Sequence, residues 1–376
     1  MKVLILSCNT GGGHNIAGRA LYEEFHRRGL ECEFVDALSF ARPGAAKKAS
    51  SIYVNLTTHT PAPFQFFYNL GQWILSPHCS SMVYSFNRKY AKELGQYITQ
   101  HQFDIIVVPH LFPAAALAYL KKKHLLDVKT YAVATDYTCI PHWDETDPDY
   151  LIIPHRELTR EFFKNGVAYE KLLPLGIPVP RTFGVRRDQS EARRALDLPT
   201  QGKMILILPG SLKRGHLSRI TVALQKEYGS HLTFVLLCAP NSKRKQQFSK
   251  TFANASNVRV VDYTDQVSLY MDAADLLITK AGGLTCTEAA AKNLPLILID
   301  PVPGCETRNA DFFTRHGMAL LAEKKSDYLP HIRRLLDDNK LRQHMQQAQN
   351  TFVTPISSAL ICETILADLA EDPLSE

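Results

Sequence analysis

Residues Leu276-Leu277-Ile278-Thr279-Lys280-Ala281-Gly282-Gly283-Leu284-Thr285-Cys286-Thr287-Glu288-Ala289-Ala290 decide how this chain is read. A short apolar run ends in two glycines, and an Ala-rich helical pattern follows to Lys292. That order predicts a strand, a tight turn and a helix. Glycines let backbone N–H groups and the helix N-terminus come close to an anion. Glu288 then falls about one turn into the helix, on the same side. A helix terminus for phosphates beside a carboxylate for ribose hydroxyls describes a nucleotide site. The same turn also occurs in strand–helix connections that bind nothing, so the rest of the chain has to decide.

Outward from that stretch, the 376 residues are too many for one ordinary core and predict two domains. The chain carries 43 Lys+Arg and 37 Asp+Glu, a net charge of +6. This small excess suits anionic ligands or an anionic membrane surface and does not point to nucleic acid. The eight cysteines, Cys8, Cys32, Cys79, Cys139, Cys238, Cys286, Cys305 and Cys362, are spaced singly with no CxxC pair. That argues against a structural zinc site and for a reducing compartment. The apolar run Val3 to Leu6 is too short for a signal peptide, and no uncharged run is apolar enough to span a bilayer. A cytoplasmic protein is expected.

The N-terminal half begins with an all-apolar strand, Val3 to Ser7, of the kind buried on both faces of a parallel sheet. The turn Asn9-Thr10-Gly11-Gly12-Gly13-His14 follows. A helix then runs from about Asn15 to Arg28 with Ile16, Ala20, Leu21 and Phe25 on one face, and Gly29 stops it before a strand at Glu31 to Asp36. This is a βαβ unit whose glycine turn lies where such sheets bind ligands. The turn is not G-x-G-x-x-G, so a dinucleotide reading is weak. Phe103 to His110, Thr130 to Asp136 and Tyr150 to His155 are further apolar strands with polar ends. In a parallel sheet those ends converge on one edge, so their recurrence points to a site there.

Ala49 to Asn87 contain no Asp, Glu, Lys or Arg, but do contain Tyr53, Phe64, Phe66, Phe67, Tyr68, Trp73, Tyr84 and Phe86. Lys47, Lys48, Arg88 and Lys89 flank them. Such a segment suits a membrane interface or an apolar substrate cleft, and equally suits packing on the domain's own core. The Pro- and Gly-rich run Leu173 to Pro180 reads as the linker. Beyond it the alternation repeats. Met204 to Leu208 is a strand followed by Pro209-Gly210-Ser211-Leu212-Lys213-Arg214-Gly215-His216. Leu232 to Cys238, Val258 to Tyr263 and Leu296 to Asp300 are strands, and Pro301 to Asn309 is the loop after the last.

These parts together resemble the GT-B glycosyltransferases of family 28, above all the bacterial diacylglycerol glucosyltransferases and the plant monogalactosyldiacylglycerol synthases. Thr10-Gly11-Gly12-Gly13-His14 resembles the acceptor-side glycine loop. Thr135-Asp136 with His142-Trp143 resembles a second feature of the family. Thr279 to Thr285 with Glu288 and Ala289 resembles the nucleotide-sugar motif. Pro303-Gly304-Cys305-Glu306…Asn309 resembles a Pro-Gly-Gln-Glu…Asn pattern, with Cys305 standing where Gln is usual.

The resemblance implies an α/β chain of two Rossmann-like domains facing each other across a cleft. Residues 1–176 would form the acceptor domain with the aromatic segment 49–87, residues 177–355 the UDP-sugar domain, and residues 356–376 a C-terminal helix and tail. Gly12 and Gly13 would lie at the acceptor. Gly210, Ser211, Gly282, Gly283, Leu284 and Thr285 would surround the pyrophosphate, Glu288 would bind ribose, and Tyr263 would lie near the uracil. Glu306 and Asn309 would hold sugar hydroxyls. His14 is the expected base, with Asp136 as the alternative base or as the group that orients it. No metal or cofactor is expected beyond the donor substrate, UDP-glucose or UDP-galactose.

The implied activity is inverting transfer of a hexose to a diacylglycerol-type lipid at the inner face of the cell membrane, with an anionic membrane surface as partner and no nucleic acid. A polyprenyl-linked or soluble acceptor, UDP-sugar 2-epimerisation and a non-catalytic sugar-nucleotide sensor are the competing readings. The uncharged aromatic segment counts against the epimerase, and the presence of both His14 and Asp136 counts against the sensor.

Overall fold

A computed structural model describes residues 1–9, 12–41, 82–209, 214–239 and 243–370. Most of the aromatic segment, Thr10, Gly11, Gly210 and Ser211 lie outside the described residues. The chain divides into two compact units, Met1–Arg181 with Pro303–Cys305 and Ile356–Glu376, and Thr182–Val302 with Glu306–Pro355.

In the first unit the strands are β1 (Lys2–Ser7), β2 (Glu31–Asp36), β3 (Ile105–Val108), β4 (Lys129–Val133), β5 (Tyr150–Ile152) and β6 (Leu172–Leu173). They form one parallel sheet in the order β2-β1-β3-β4-β5-β6. The unit's helices include α1 (Gly12–Arg27), α2 (Met82–His101) and α3 (Leu111–Lys122), of which α1 and α3 contribute to the site. Val3 to Leu6 and Ile105 to Val108 are buried on both faces, which is why they read as unbroken apolar runs. β2 is an edge strand and carries Glu31 and Glu33. Charges on an edge discourage pairing with another chain.

The second unit has β7 (Lys203–Ile207), β8 (Leu232–Leu237), β9 (Val258–Val261), β10 (Leu276–Thr279), β11 (Leu296–Ile299) and β12 (Leu320–Ala322), also parallel, in the order β12-β11-β10-β7-β8-β9. Helix α4 (Gly283–Ala291) leaves β10 through the glycine turn, and α5 (Cys305–Arg315) follows β11. In a doubly wound sheet, ligands bind outside the carboxyl ends of the strands where the strand order reverses. That point is β1/β3 in the first sheet and β7/β10 in the second. His14 follows β1, and the Gly282-Gly283 turn follows β10.

The last described helix, α6 (Ser357–Ala370), belongs to the first unit rather than to a separate tail. Ile361, Cys362 and Ile365 are fully buried against Val3, Ile5, Leu21 and Phe25. Burying each Ile side chain contributes roughly 1.5–3 kcal/mol. Asp368 receives hydrogen bonds from the Tyr131 and Tyr150 hydroxyls and pairs with Lys129 at 2.7 Å. Ser357 and Ser358 donate to the carbonyls of Ile177 and Val179, both at 2.6 Å. The stretch Asn339–Ala370 is long and apolar enough in sum to cross a membrane. It is two helices, Asn339–Phe352 and α6, broken around Pro355.

Candidate active site

At the C-terminal ends of β1, β3 and β4, side chains from three elements meet. The loop after β1 is pinned by a polar chain. Asn9 donates to Asp36 at 2.7 Å, Asn15 donates to Asn9 at 2.5 Å, and Ser7 donates to Asn15 at 2.6 Å. This anchors the first turn of α1, where His14 sits. His14 Nδ1 lies 2.8 Å from the Pro109 carbonyl oxygen. A carbonyl only accepts, so Nδ1 carries the proton and Nε2 keeps its lone pair. Thr135 Oγ1, 2.9 Å from the same nitrogen, is a second acceptor.

His110 packs against this ring, with centroids 4.5 Å apart and planes at 64°. It is the N-cap of α3, and its Nδ1 accepts the Phe112 N–H at 3.0 Å. Together with Leu111, Phe112, Ala134, Thr135, Asp136, Thr138, Ile140 and Trp143, the two histidines line a cavity of about 80 Å³. Desolvation holds the His14 pKa below the ordinary histidine value, and the Asp136 carboxylate pulls it part of the way back. Desolvation, with the neighbouring His14, pushes His110 well below that value. The arrangement offers a neutral imidazole with a free lone pair beside a carboxylate, which is what a general base requires.

The loop below the cavity is held by Glu161, whose carboxylate accepts from Thr138 Oγ1 at 2.5 Å and from the Cys139 N–H at 2.9 Å. His142 adopts a left-handed backbone with φ 77°, which turns the chain so that Trp143 is buried against the cavity. Gly12 opens α1, and a Cβ there would meet nothing within 4 Å. Gly13 follows it in the first turn.

In the second unit, Gly282 is the N-cap of α4 with φ −73° and ψ 131°, and no side chain caps the helix. Those angles suit any residue, and a Cβ on Gly282 would meet nothing within 4 Å. Neither backbone strain nor packing therefore demands glycine here; its absence of a side chain keeps open the approach to the first N–H groups of α4, those of Gly283, Leu284 and Thr285. The turn is held from beneath. The Gly282 N–H donates to Lys280 O at 2.9 Å, and Asn309 Nδ2 donates to Ala281 O at 3.0 Å. Asn309 is 0% exposed, so it acts on the shape of the turn.

Glu288 is 6% exposed on the same helix, and burial alone pushes its carboxyl up to about 8. Glu306 forms an ion pair with Lys280 and accepts the Val302 N–H at 2.9 Å, so both carboxyl oxygens are oriented. Tyr263 follows edge strand β9, two strands out from the switch point, and is 68% exposed. Thus the turn residues, Glu288 and Glu306 belong to the carboxyl end of β10 and its neighbour β11, while Tyr263 stands apart at the sheet edge. Sequence reasoning left His110, Lys280 and Glu161 out of the site. The polar end of an apolar strand was the available signal for His110, and Lys280 stood inside the quoted stretch.

Two parallel doubly wound sheets, with His14 after β1 at the switch point of one and the Gly282-Gly283 turn after β10 at that of the other, are the architecture of the GT-B fold. Residues 14–179 match the monogalactosyldiacylglycerol (MGDG) synthase family, and residues 204–358 match the glycosyltransferase family 28 C-terminal domain. The chain belongs to the family 28 glycosyltransferases. It is 27% identical over 375 residues to a processive diacylglycerol beta-glucosyltransferase of Bacillus mycoides, covering 99% of this chain and 95% of that one. Among solved structures it resembles MurG of Acinetobacter baumannii, with a TM-score of 0.62, 14% identity, and 97% and 99% of the two chains covered. A UDP complex of S. aureus MnaA matches with a TM-score of 0.65, 14% identity, and 98% and 97% covered. At these identities the structural likeness speaks for the fold.

Proposed function

We propose that this glycosyltransferase moves a hexose from UDP-glucose or UDP-galactose to a diacylglycerol-type lipid, with inversion, at the inner face of the cell membrane. The observation that carries the chemistry is the tautomer of His14. Its Nδ1–H is spent on Pro109, so Nε2 is a ready base in an apolar-walled cavity. His14 takes the proton of the acceptor hydroxyl, whose oxygen bonds to the anomeric carbon as the bond from that carbon to the UDP oxygen breaks. Asp136 stabilises the imidazolium formed.

On the donor side, the open N-terminus of α4 takes the diphosphate and, with Lys280, its growing negative charge. Gly210 and Ser211, outside the described residues, would join them. Glu288 takes ribose hydroxyls, Glu306 takes sugar hydroxyls, and Asn309 acts through the turn it holds. The likeness to diacylglycerol beta-glucosyltransferases over 99% of the chain supports the acceptor class. The uncharged aromatic stretch flanked by basic residues supports a membrane surface.

The test is radiolabel transfer with purified protein and anionic liposomes containing diacylglycerol, offering UDP-glucose, UDP-galactose and UDP-N-acetylglucosamine separately. Label in the lipid phase with one hexose donor is the expected result. UDP binding without any labelled lipid refutes the acceptor.

A further inference from the structure

His110 is not needed to explain the fold alone. As an N-cap it does what Asn, Asp or Ser does with less bulk. It instead carries a full imidazole, 6% exposed, set edge-on to the proposed base. Its Nδ1 accepts the Phe112 N–H, so the ring's proton is fixed on Nε2. Protonating Nδ1 would break the cap of α3 and bury a charge. His110 is therefore locked neutral and cannot compete with His14 for a proton. The ring also occupies space that water would otherwise take beside His14, and water would favour the imidazolium.

The groups facing His14 among the described residues come from two places. His110 and the Pro109 carbonyl come from the end of β3, and Thr135 and Asp136 from the loop after β4. Asp136 and the Pro109 carbonyl favour a protonated His14, and burial opposes them, with the His110 ring packed directly against His14 as part of that burial.

On the reading of His14 as the base, we propose that His110 is a positioning residue: its neutral ring, locked by the α3 cap, walls His14 from water and keeps His14 Nε2 unprotonated in the acceptor cavity. Two kinds of variant separate the wall from the cap. His110→Asn and His110→Ser keep a capping oxygen and remove the ring. His110→Phe keeps an aromatic wall and removes the cap.

The measurement is the titration of His14 by NMR of 13C-histidine-labelled full-length protein, with the His14 signal assigned by its loss in His14→Gln. In His110→Asn the His14 midpoint is expected to rise by roughly half to one pH unit toward the ordinary histidine value. The acid limb of the transfer rate should rise with it, making the rate about three- to tenfold lower at a pH one unit or more below the wild-type midpoint. In His110→Phe the midpoint stays. His110→Ser repeats the first test if the Asn variant does not fold.

An unmoved midpoint in the ring-removed variants overturns the proposal, and so does an equal rise in His110→Phe. The NMR titration does not depend on turnover. Unchanged transfer in His14→Ala would remove the base reading and leave the His110–His14 coupling measurable. A limb that disappears in His14→Ala but does not move in His110→Asn would remove only the role given to His110.

Discussion

Replacing Glu288 with glutamine isolates the cost of one buried carboxyl. Its pKa is raised from 4.5 to about 8 by burial alone, and it is 6% exposed. A raised folded pKa means that the folded chain holds the proton more tightly than the unfolded chain. The stability from that proton is complete below the unfolded value and is lost as pH rises through about 8. Within that window the slope is one proton, about 1.36 kcal/mol per pH unit. Between pH 5.5 and 7.5 the wild type therefore loses about 2.7 kcal/mol through this group.

Glutamine keeps the shape and does not titrate. The stability of Glu288→Gln minus that of the wild type is expected to rise by about 2.7 kcal/mol over this interval, whatever constant offset the amide introduces. All other titrating groups cancel in that difference. In ligand-free melts this corresponds to a relative Tm gain of about 5–10 °C for a unit of this size. A difference that is the same at both pH values refutes the buried, protonated carboxyl.

Four other outcomes follow from the same geometry. Gly282→Ala should leave the Tm within about 2 °C, because its Cβ meets nothing, yet weaken UDP binding at least tenfold by calorimetry; full affinity would remove the anion from the α4 terminus. His14→Ala should lower transfer by about 10²–10⁴ while UDP affinity is kept. Lys280→Met should lower kcat by about one to two orders of magnitude, with partial recovery in Lys280→Arg; an unchanged kcat would deny Lys280 any part in leaving-group stabilisation. Replacing Phe66, Phe67 and Trp73 by serine should reduce sedimentation with anionic liposomes, and unchanged binding assigns that stretch to the core.

The two sheets were legible because parallel strands buried on both faces print as unbroken apolar runs, as Val3 to Leu6 and Leu276 to Ile278 do. The Gly282-Gly283 turn was legible because it ends such a run. The partnership of His14, His110 and Thr135 was not. It depends on β1, β3 and β4 lying side by side, a fact of strand order that joins residues 121 positions apart. The docking of α6 on the first sheet was hidden for the same reason. Its apolar face at Ile361, Cys362 and Ile365 says that it is buried, and nothing in its spacing says against what. Asn309 shows a different limit. A polar residue near a glycine turn can serve the turn from beneath, and it is the hydrogen bond from Asn309 to the Ala281 carbonyl, invisible in the sequence, that shows it doing so.

Burial sets the protonation of both proposed sites before any ligand arrives, and in opposite senses. His14 is held unprotonated and Glu288 is held protonated at neutral pH. Ribose hydroxyls donate to a carboxylate, so donor binding must draw the proton off Glu288. Donor affinity is then expected to rise up to tenfold per pH unit until about 8 and to level off above it. Transfer by His14 needs only that the pH exceed its lowered pKa. Acid should therefore damage the enzyme in two separable ways, through the donor KM well before kcat. The kcat limb should fall below the ordinary histidine value, and it should be the only limb that moves when His110 is changed. The KM limb should vanish in Glu288→Gln while the kcat limb stays. If both limbs moved together in either variant, the two groups would be titrating as one site, and the assignment of separate donor and acceptor roles to them would fail.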